Sequence, residues 1–282
     1  MFQYFQRGFV RKVAKLGVLL TLSAFPLHVP GQSIPRKRPA TNPATTRSGT
    51  QSTNPGSQDP GTPLPGWVLK FQEEFDGSAL NFAKWIPHPP ANGIPTDAQE
   101  WRPDAITVSG GLAHLTTRKT LTGFTSGILT TFGTFARTYG RFDIRFRMPA
   151  GPGLEAQFRL LPVPAGEIPS IDILAAVGSD PASARFTNRW GGASAEREYS
   201  GTHHVPDLSA GFHISTVEWD EEKIVWFVDG IECLSSFDGV PHQPMYLAVS
   251  LTAGGHTAGE PNAKTNFPAV LDIDYIRVFA RP

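Results

Sequence analysis

Residues 141–148 read Arg-Phe-Asp-Ile-Arg-Phe-Arg-Met, so every second residue is apolar and each residue between is charged. Successive side chains of a β-strand point to opposite faces of the sheet. This alternation therefore predicts a strand with one face in an apolar core and the other in polar surroundings.

Two further stretches predict β-hairpins. In residues 223–234, two apolar runs flank Asp229-Gly230, a pair that suits a tight turn with positive φ. In residues 106–115, two shorter runs flank Ser109-Gly110-Gly111. Similar short segments recur along the chain at a spacing of roughly 8–12 residues, and none has the periodicity of an amphipathic helix. From residue 66 onward the sequence thus predicts one all-β domain, a two-sheet antiparallel jelly-roll sandwich.

The N-terminal part has a different composition. Basic residues precede an apolar run, residues 16–25, which is shorter than the roughly 20 residues that span a bilayer as a helix. We therefore expect residues 1–31 to be a signal peptide, with an uncleaved anchor as the alternative. Residues 32–65 are rich in Pro, Thr and Ser, which predicts a disordered linker. The expected location is secreted, periplasmic or cell-surface, without stable membrane insertion after removal of the signal.

The overall charge excludes one class of partner. The chain has 25 Lys and Arg against 25 Asp and Glu, so no global basic field favours nucleic acid. A single cysteine excludes an intramolecular disulfide. We expect a monomer.

Several segments after residue 65 form an ordered set. Residues 66–69 read Gly-Trp-Val-Leu, residues 73–77 read Glu-Glu-Phe-Asp-Gly, residues 125–131 read Thr-Ser-Gly-Ile-Leu-Thr-Thr, residues 226–230 read Trp-Phe-Val-Asp-Gly, and residues 274–279 read Asp-Tyr-Ile-Arg-Val-Phe. In this order they resemble glycoside hydrolase family 16, the laminarinase and lichenase family, over essentially all of residues 66–282. The resemblance implies a concanavalin A-like jelly roll with an open cleft, and a polysaccharide or oligosaccharide partner.

The catalytic strand of that family follows the pattern Glu-x-Asp-x-(x)-Glu, in which the outer residues are the nucleophile and the acid/base. Here residues 170–175 read Ser-Ile-Asp-Ile-Leu-Ala. Ser170 stands at the nucleophile position, Asp172 at the orienting position, and Ala175 at the acid/base position if the strand has a bulge, or Leu174 if it has none. Retaining glycosidases need two carboxylates, so we expect a catalytically inactive domain with a vestigial Asp172.

The predicted cleft has also changed its binding residues. Glu155 and Arg159 stand where the family has tryptophans that support sugar rings, and Arg189 stands where it has a histidine. Trp101 and Trp190 lie in segments that border the family's cleft. These five residues are the predicted ligand contacts, for a carbohydrate or for another ligand.

Two other functions remain open from the sequence. One is an active glycosidase or transglycosylase with relocated carboxylates, for which Glu155 and Glu167 are the candidates. The other is a structural or protein-interaction sandwich.

The resemblance also implies a structural calcium ion. The matching ligands are Glu74, Gly111 and Asp274, a set of oxygen donors of the kind that calcium prefers. The alternative is that Asp274 only hydrogen-bonds its surroundings.

Overall fold

The computed structural model describes residues 64–90, 99–192 and 195–282. The predicted signal peptide and all of the predicted linker up to residue 63 lie outside these residues. Within the described residues, no helix has the length and apolar character needed to cross a membrane.

The described residues form strands joined by turns and loops, with one short 3₁₀-helix at Pro103–Ala105. In chain order the strands are β1 (Val68–Glu73), β2 (Gln99–Trp101), β3 (Ile106–Ser109), β4 (Leu112–Lys119), β5 (Phe124–Ser126), β6 (Ile128–Thr130), β7 (Gly140–Arg147), β8 (Leu154–Pro162), β9 (Ser170–Val177), β10 (Ser183–Trp190), β11 (Arg197–His204), β12 (His213–Trp219), β13 (Ile224–Val228), β14 (Ile231–Ser236), β15 (Met245–Ala253) and β16 (Ala269–Ala280).

The strands build two sheets, which confirms the predicted sandwich. One sheet has six strands in the order β11-β10-β9-β8-β15-β6. The other has ten, in the order β14-β13-β12-β7-β16-β4-β5-β2, with β1 paired to β16 and β3 paired to β4. The pairings are antiparallel except for β2 with β5, which run parallel.

The alternating stretch that predicted a strand forms most of β7. Phe142, Ile144 and Phe146 are fully buried in the core between the sheets. On the other face, Asp143 is also buried, because Arg141 and the hydroxyl of Thr216 bind its carboxylate. Burial raises the pKa of Asp143 in spite of these two partners.

Both predicted hairpins are present. Asp229 and Gly230 have φ values of 50° and 78° in the turn between β13 and β14. Gly110 and Gly111, with φ values of 60° and 76°, join β3 to β4. Positive φ at both central residues gives a turn whose twist matches that of the flanking strands.

Two tryptophans of the ten-stranded sheet donate hydrogen bonds from their indole nitrogens to backbone carbonyls outside that sheet. Trp226 is fully buried and donates a hydrogen bond to the backbone carbonyl of Asp172, at 3.0 Å. Trp219 donates to the carbonyl of Pro241, at 3.0 Å. The core therefore holds the backbone of β9 at the residue that the sequence singled out.

Candidate functional site

Strand β9 has a β-bulge at the position where the sequence left two alternatives. Asp172 is paired with Arg159 on β8 and with Thr187 on β10, whereas Ala175 is paired with Gln157 and Arg185. Ile173 and Leu174 are both fully buried in the core. Because one extra residue is accommodated between Asp172 and Ala175, these two residues lie on the same face. The structure thus has the bulged alternative, in which Ala175 rather than Leu174 shares a face with Asp172.

The core supports the bulge directly. A bulged residue loses its regular partners in the sheet, so its backbone groups need others. The hydroxyl of Ser215 on β12 donates to the carbonyl of Ile173, at 3.2 Å, next to the bond from Trp226 to the carbonyl of Asp172.

Two arginines hold the carboxylate of Asp172. Arg159 Nε lies 2.9 Å from Oδ1, and Arg189 Nη1 lies 3.1 Å from Oδ2. The side chains of Asp172, Arg159 and Arg189 are only 9%, 15% and 25% exposed. Each carboxylate oxygen thus has its own guanidinium partner, which is the arrangement of a structural ion pair rather than of a catalytic base.

The ion pairs continue onto β11. Arg189 Nε binds Glu198 at 3.0 Å, and Arg185 binds the same carboxylate. Burial acts to lower the pKa of Arg189, but the charges of Asp172 and Glu198 outweigh it and raise that pKa. Burial acts to raise the pKa of Glu198, but the hydrogen bond from Ser200 and the two arginines lower it overall. The network thus favours the charged forms of Arg189 and Glu198.

Ser170, at the predicted nucleophile position, is poorly placed to act as a nucleophile. It is fully buried, and its hydroxyl has no hydrogen-bond partner among the described residues. A serine without an adjacent base is a weak nucleophile. The residue beside it on β10 is Arg189, which supplies positive charge and no base.

A groove runs along this face of the six-stranded sheet, over Asp172 and Ala175. Its larger part has a volume of about 490 Å³ and extends to Arg185 and Thr202. A smaller part, about 170 Å³, extends to Trp101 and His256. The two parts share four lining residues: Glu155, Gln157, Arg159 and Thr257.

Two carboxylates line the groove among the described residues, at different points along it. Glu155 lies opposite Val177, and Asp172 lies opposite Arg159. The two acids are therefore four residues apart in register, which is about 13 Å along the strand direction at ~3.3 Å per residue. Glu167, the other candidate for a relocated acid, is exposed in the loop before β9.

The predicted ligand contacts fall into two groups. Glu155, Arg159 and Arg189 line the groove, and Trp101 lines its smaller part. Trp190 instead packs against Gly239, where a Cβ atom would overlap its ring.

Sequence reasoning missed Arg185 and Glu198. The period-two spacing of Arg185, Thr187 and Arg189 was a usable signal for the first of them, because it places all three on one face of β10.

The predicted calcium ligands are engaged by arginines. Both oxygens of Glu74 bind Arg277, each at 2.8 Å, and Asp274 binds Arg145. No group of three or more His, Cys, Asp or Glu in the described ranges is arranged to hold a metal ion. The geometry therefore does not fit calcium at these side chains, and the ion stays a prediction from the resemblance.

Comparisons with known proteins match most of the domain. A family model described as Glycosyl hydrolases family 16 matches residues 96–276. A beta-glucanase of Rhodothermus marinus is 31% identical over 254 residues, which cover 76% of this chain and 86% of that protein. The catalytic domain of an endo-1,3-beta-glucanase (laminarinase) from Thermotoga petrophila superimposes with a TM-score of 0.67 at 28% identity, over 76% of this chain and 98% of that structure.

Other relatives are much longer than this chain. An endo-1,3-1,4-beta-glycanase of Rhizobium meliloti is 34% identical over 158 residues, which cover 56% of this chain and 34% of that protein. The chain thus matches about a third of the length of the first curated relatives.

Proposed function

Because this chain belongs to glycoside hydrolase family 16, we propose that its groove binds a glycan but does not hydrolyse it. The observation that carries the proposal is the double arginine contact of Asp172, between positions 170 and 175 that hold Ser and Ala. Retaining hydrolysis needs a nucleophile and an acid/base about 5–5.5 Å apart, and inversion needs about 6.5–9.5 Å. Glu155 and Asp172 lie at different points along the groove, and Asp172 is already bound by two arginines.

Glycan binding is supported by the groups that line the groove. Gln157, Thr202 and Thr257 supply neutral hydrogen-bonding groups, and Trp101 supplies an aromatic ring at one side. A few polar groups beside an aromatic surface are typical of ligand sites. Relatives named as glucanases make a polysaccharide the first class of ligand to test.

The charged character of the groove favours a second candidate. Arg159, Arg185 and Arg189 dominate its centre, and among the proposed contacts only Trp101 is an aromatic residue that lines it. A structural or protein-interaction sandwich would have this kind of surface. The third candidate is an active glycosidase that uses Glu155 as a catalytic carboxylate, since Glu155 lines both parts of the groove.

We also propose that the protein is exported and acts outside the cytoplasm or at the cell surface as a monomer. Export rests on the composition of residues 1–31 and 32–65, and the monomer is an expectation from the sequence.

The experiment combines a hydrolysis assay with a binding assay. We expect no release of reducing sugar from laminarin, lichenan, agarose or carrageenan, because loss of a single acid/base group already lowers rates by about 10²–10⁴. In affinity electrophoresis through gels that contain these glycans, we expect at least one to retard the protein. Trp101→Ala should weaken that retardation about tenfold, in line with the ~1–3 kcal/mol that an aromatic contact contributes in binding sites. Phe82→Ala, an exposed aromatic away from the groove, is the matched control.

Turnover within tenfold of an ordinary glucanase would establish an active enzyme. Absence of retardation by every glycan would favour the interaction sandwich.

A further inference from the structure

A serine, a histidine and an aspartate form a hydrogen-bonded chain on the ten-stranded sheet, away from the groove. Ser109 Oγ lies 3.1 Å from His114 Nε2, and His114 Nδ1 lies 2.7 Å from Asp272 Oδ1. Ser109 is exposed, His114 is half-buried and Asp272 is buried. The chain of contacts thus leads from solvent into the sheet.

Strand pairing fixes this geometry. His114 on β4 lies directly opposite Asp272 on β16, and Asp272 lies directly opposite Arg147 on β7. Ser109 ends β3, the strand on the other side of β4. Arg147 Nη2 binds the second carboxylate oxygen of Asp272 at 2.7 Å, so that this carboxylate cannot turn away from the imidazole.

The contacts define the direction of each hydrogen bond. An ionised carboxylate only accepts, so His114 Nδ1–H donates to Asp272. In the neutral ring Nε2 is then an acceptor, and the Ser109 hydroxyl donates to it. A nucleophile bonded to a base, which is in turn oriented by a third group, is the arrangement that activates a serine.

We propose that Ser109, His114 and Asp272 form an acyl-transfer site for esters of short-chain carboxylic acids. Ser109 and His114 are the catalytic residues, and Asp272 is a positioning residue. Ser109 is exposed at a hairpin turn, so an ester with a large alcohol portion can approach it. The turn offers little surface to enclose a long acyl chain, which favours short acyl groups. Esters are favoured over amides because an alcohol leaves more readily than an amine.

The reaction has two balanced steps. Ser109 Oγ forms a bond to the ester carbonyl carbon while its proton passes to His114 Nε2. The carbon–oxygen bond to the alcohol then breaks, and the alcohol leaves with that proton. Water then attacks the acyl-serine carbonyl carbon and gives a proton to His114 Nε2. The bond between that carbon and Oγ breaks, Oγ takes the proton from His114, and the carboxylic acid is released.

The turn after Ser109 offers donors for the developing oxyanion. The backbone N–H groups of Gly110 and Gly111 have no hydrogen-bond acceptor among the described residues. Backbone N–H groups near a nucleophile are the usual source of this stabilisation.

The test uses the full-length protein and a fluorophosphonate probe, which transfers its phosphoryl group to activated serines with loss of fluoride. We expect one adduct per chain, located by mass spectrometry on Ser109, and slow release of p-nitrophenol from p-nitrophenyl acetate. Ser109→Ala should abolish both. Ser209→Ala is the matched control, since its hydroxyl donates to Asp207 rather than to an imidazole.

Two further variants separate chemistry from folding. His114→Ala should slow labelling at least 100-fold, in keeping with the ~10²–10⁴ contributed by a general base, and added imidazole should partly restore it. Asp272→Asn should slow labelling to a similar degree, and Asp272→Glu should recover part of the rate. A purely structural role of these residues would not respond to imidazole.

Labelling spread over several serines, or labelling of Ser109 at the same rate in His114→Ala, would overturn the proposal. So would the absence of any adduct in the folded wild-type protein. None of these outcomes depends on whether the groove binds a glycan.

Discussion

At Asp172, each carboxylate oxygen is bound by a different guanidinium, from Arg159 on one side and Arg189 on the other. In a low-dielectric site, the attraction between such charges is strong only while both signs are present. Removal of the one negative charge would leave two partly buried arginines that repel each other. The aspartate is therefore a stability determinant of the groove.

Asp172→Asn should lower the free energy of unfolding by about 2–4 kcal/mol, because loss of one partner from a buried ion pair leaves uncompensated charge. Urea unfolding followed by tryptophan fluorescence measures the change. Glu198→Gln is the comparison, and as a more exposed carboxylate it should lower stability by about 1 kcal/mol or less. Equal effects of the two substitutions would show that the contacts of Asp172 contribute no more than a surface ion pair.

At the scale of the strand, β9 has a bulge between Asp172 and Ala175, and the proposed loss of activity assigns Ser170 and Ala175 to the two catalytic positions. Asp172 and Ala175 face the groove across the bulge, and Ser170 lies under Arg189. Restoring the outer acids would supply chemistry but would not free Asp172 from its arginines or restore the sugar platform. Catalysis depends on holding the substrate in place as well as on acid/base groups.

We therefore expect Ser170→Glu with Ala175→Glu to recover little or no glucanase activity. Further addition of Glu155→Trp and Arg159→Trp should be needed before reducing sugar is released from laminarin. Ser170→Gln with Ala175→Gln is the uncharged control of the same size, and circular dichroism checks the fold of each variant. Efficient hydrolysis by the first double variant would mean that the groove still binds glucan as its relatives do.

The sequence predicted much of the strand structure, because alternation along β7 and the two glycine-containing turns are local signals. It also allowed for a bulge between Asp172 and Ala175, which the structure contains, whereas the assignment of Ser170 and Ala175 to catalytic positions stays a prediction from the resemblance. The partners of Asp172 were not predictable in this way. Arg159 and Arg189 come from the two flanking strands, and periodicity gives the face of a residue but not its cross-strand partner. The contact between His114 and Asp272, which are 158 residues apart in the sequence, could not be predicted for the same reason.

At the scale of the whole molecule, both sheets bury a tyrosine that resists ionisation. Burial raises the pKa of Tyr246, in the six-stranded sheet, and of Tyr275, in the ten-stranded sheet, to about 12 each. In the unfolded chain a tyrosine ionises near pH ~10. The unfolded phenols therefore lose their protons first, and this ionisation favours the unfolded chain.

The free energy of unfolding should consequently fall between about pH 10 and pH 12, with the contribution of both phenols fully present below about pH 10. Urea midpoints across this range measure the slope. Tyr246→Phe with Tyr275→Phe should flatten it, whereas Tyr199→Phe, on an exposed edge, should not. At neutral pH, Tyr246→Phe should be neutral or stabilise by up to about 1 kcal/mol, since its buried hydroxyl has no hydrogen-bond partner among the described residues. An unchanged slope in the double variant would assign the alkaline loss to other groups.

Because β9 contains one extra residue, substitution and deletion would have different effects on this strand. A single-nucleotide change can replace a side chain at 170 or 175 and leaves the length of the strand alone. Loss of the bulge requires deletion of a whole codon, and it would displace the carbonyls that accept from Ser215 and Trp226 in the opposite sheet. The side chains at 170 and 175 can therefore change without any change in the backbone spacing around the bulge.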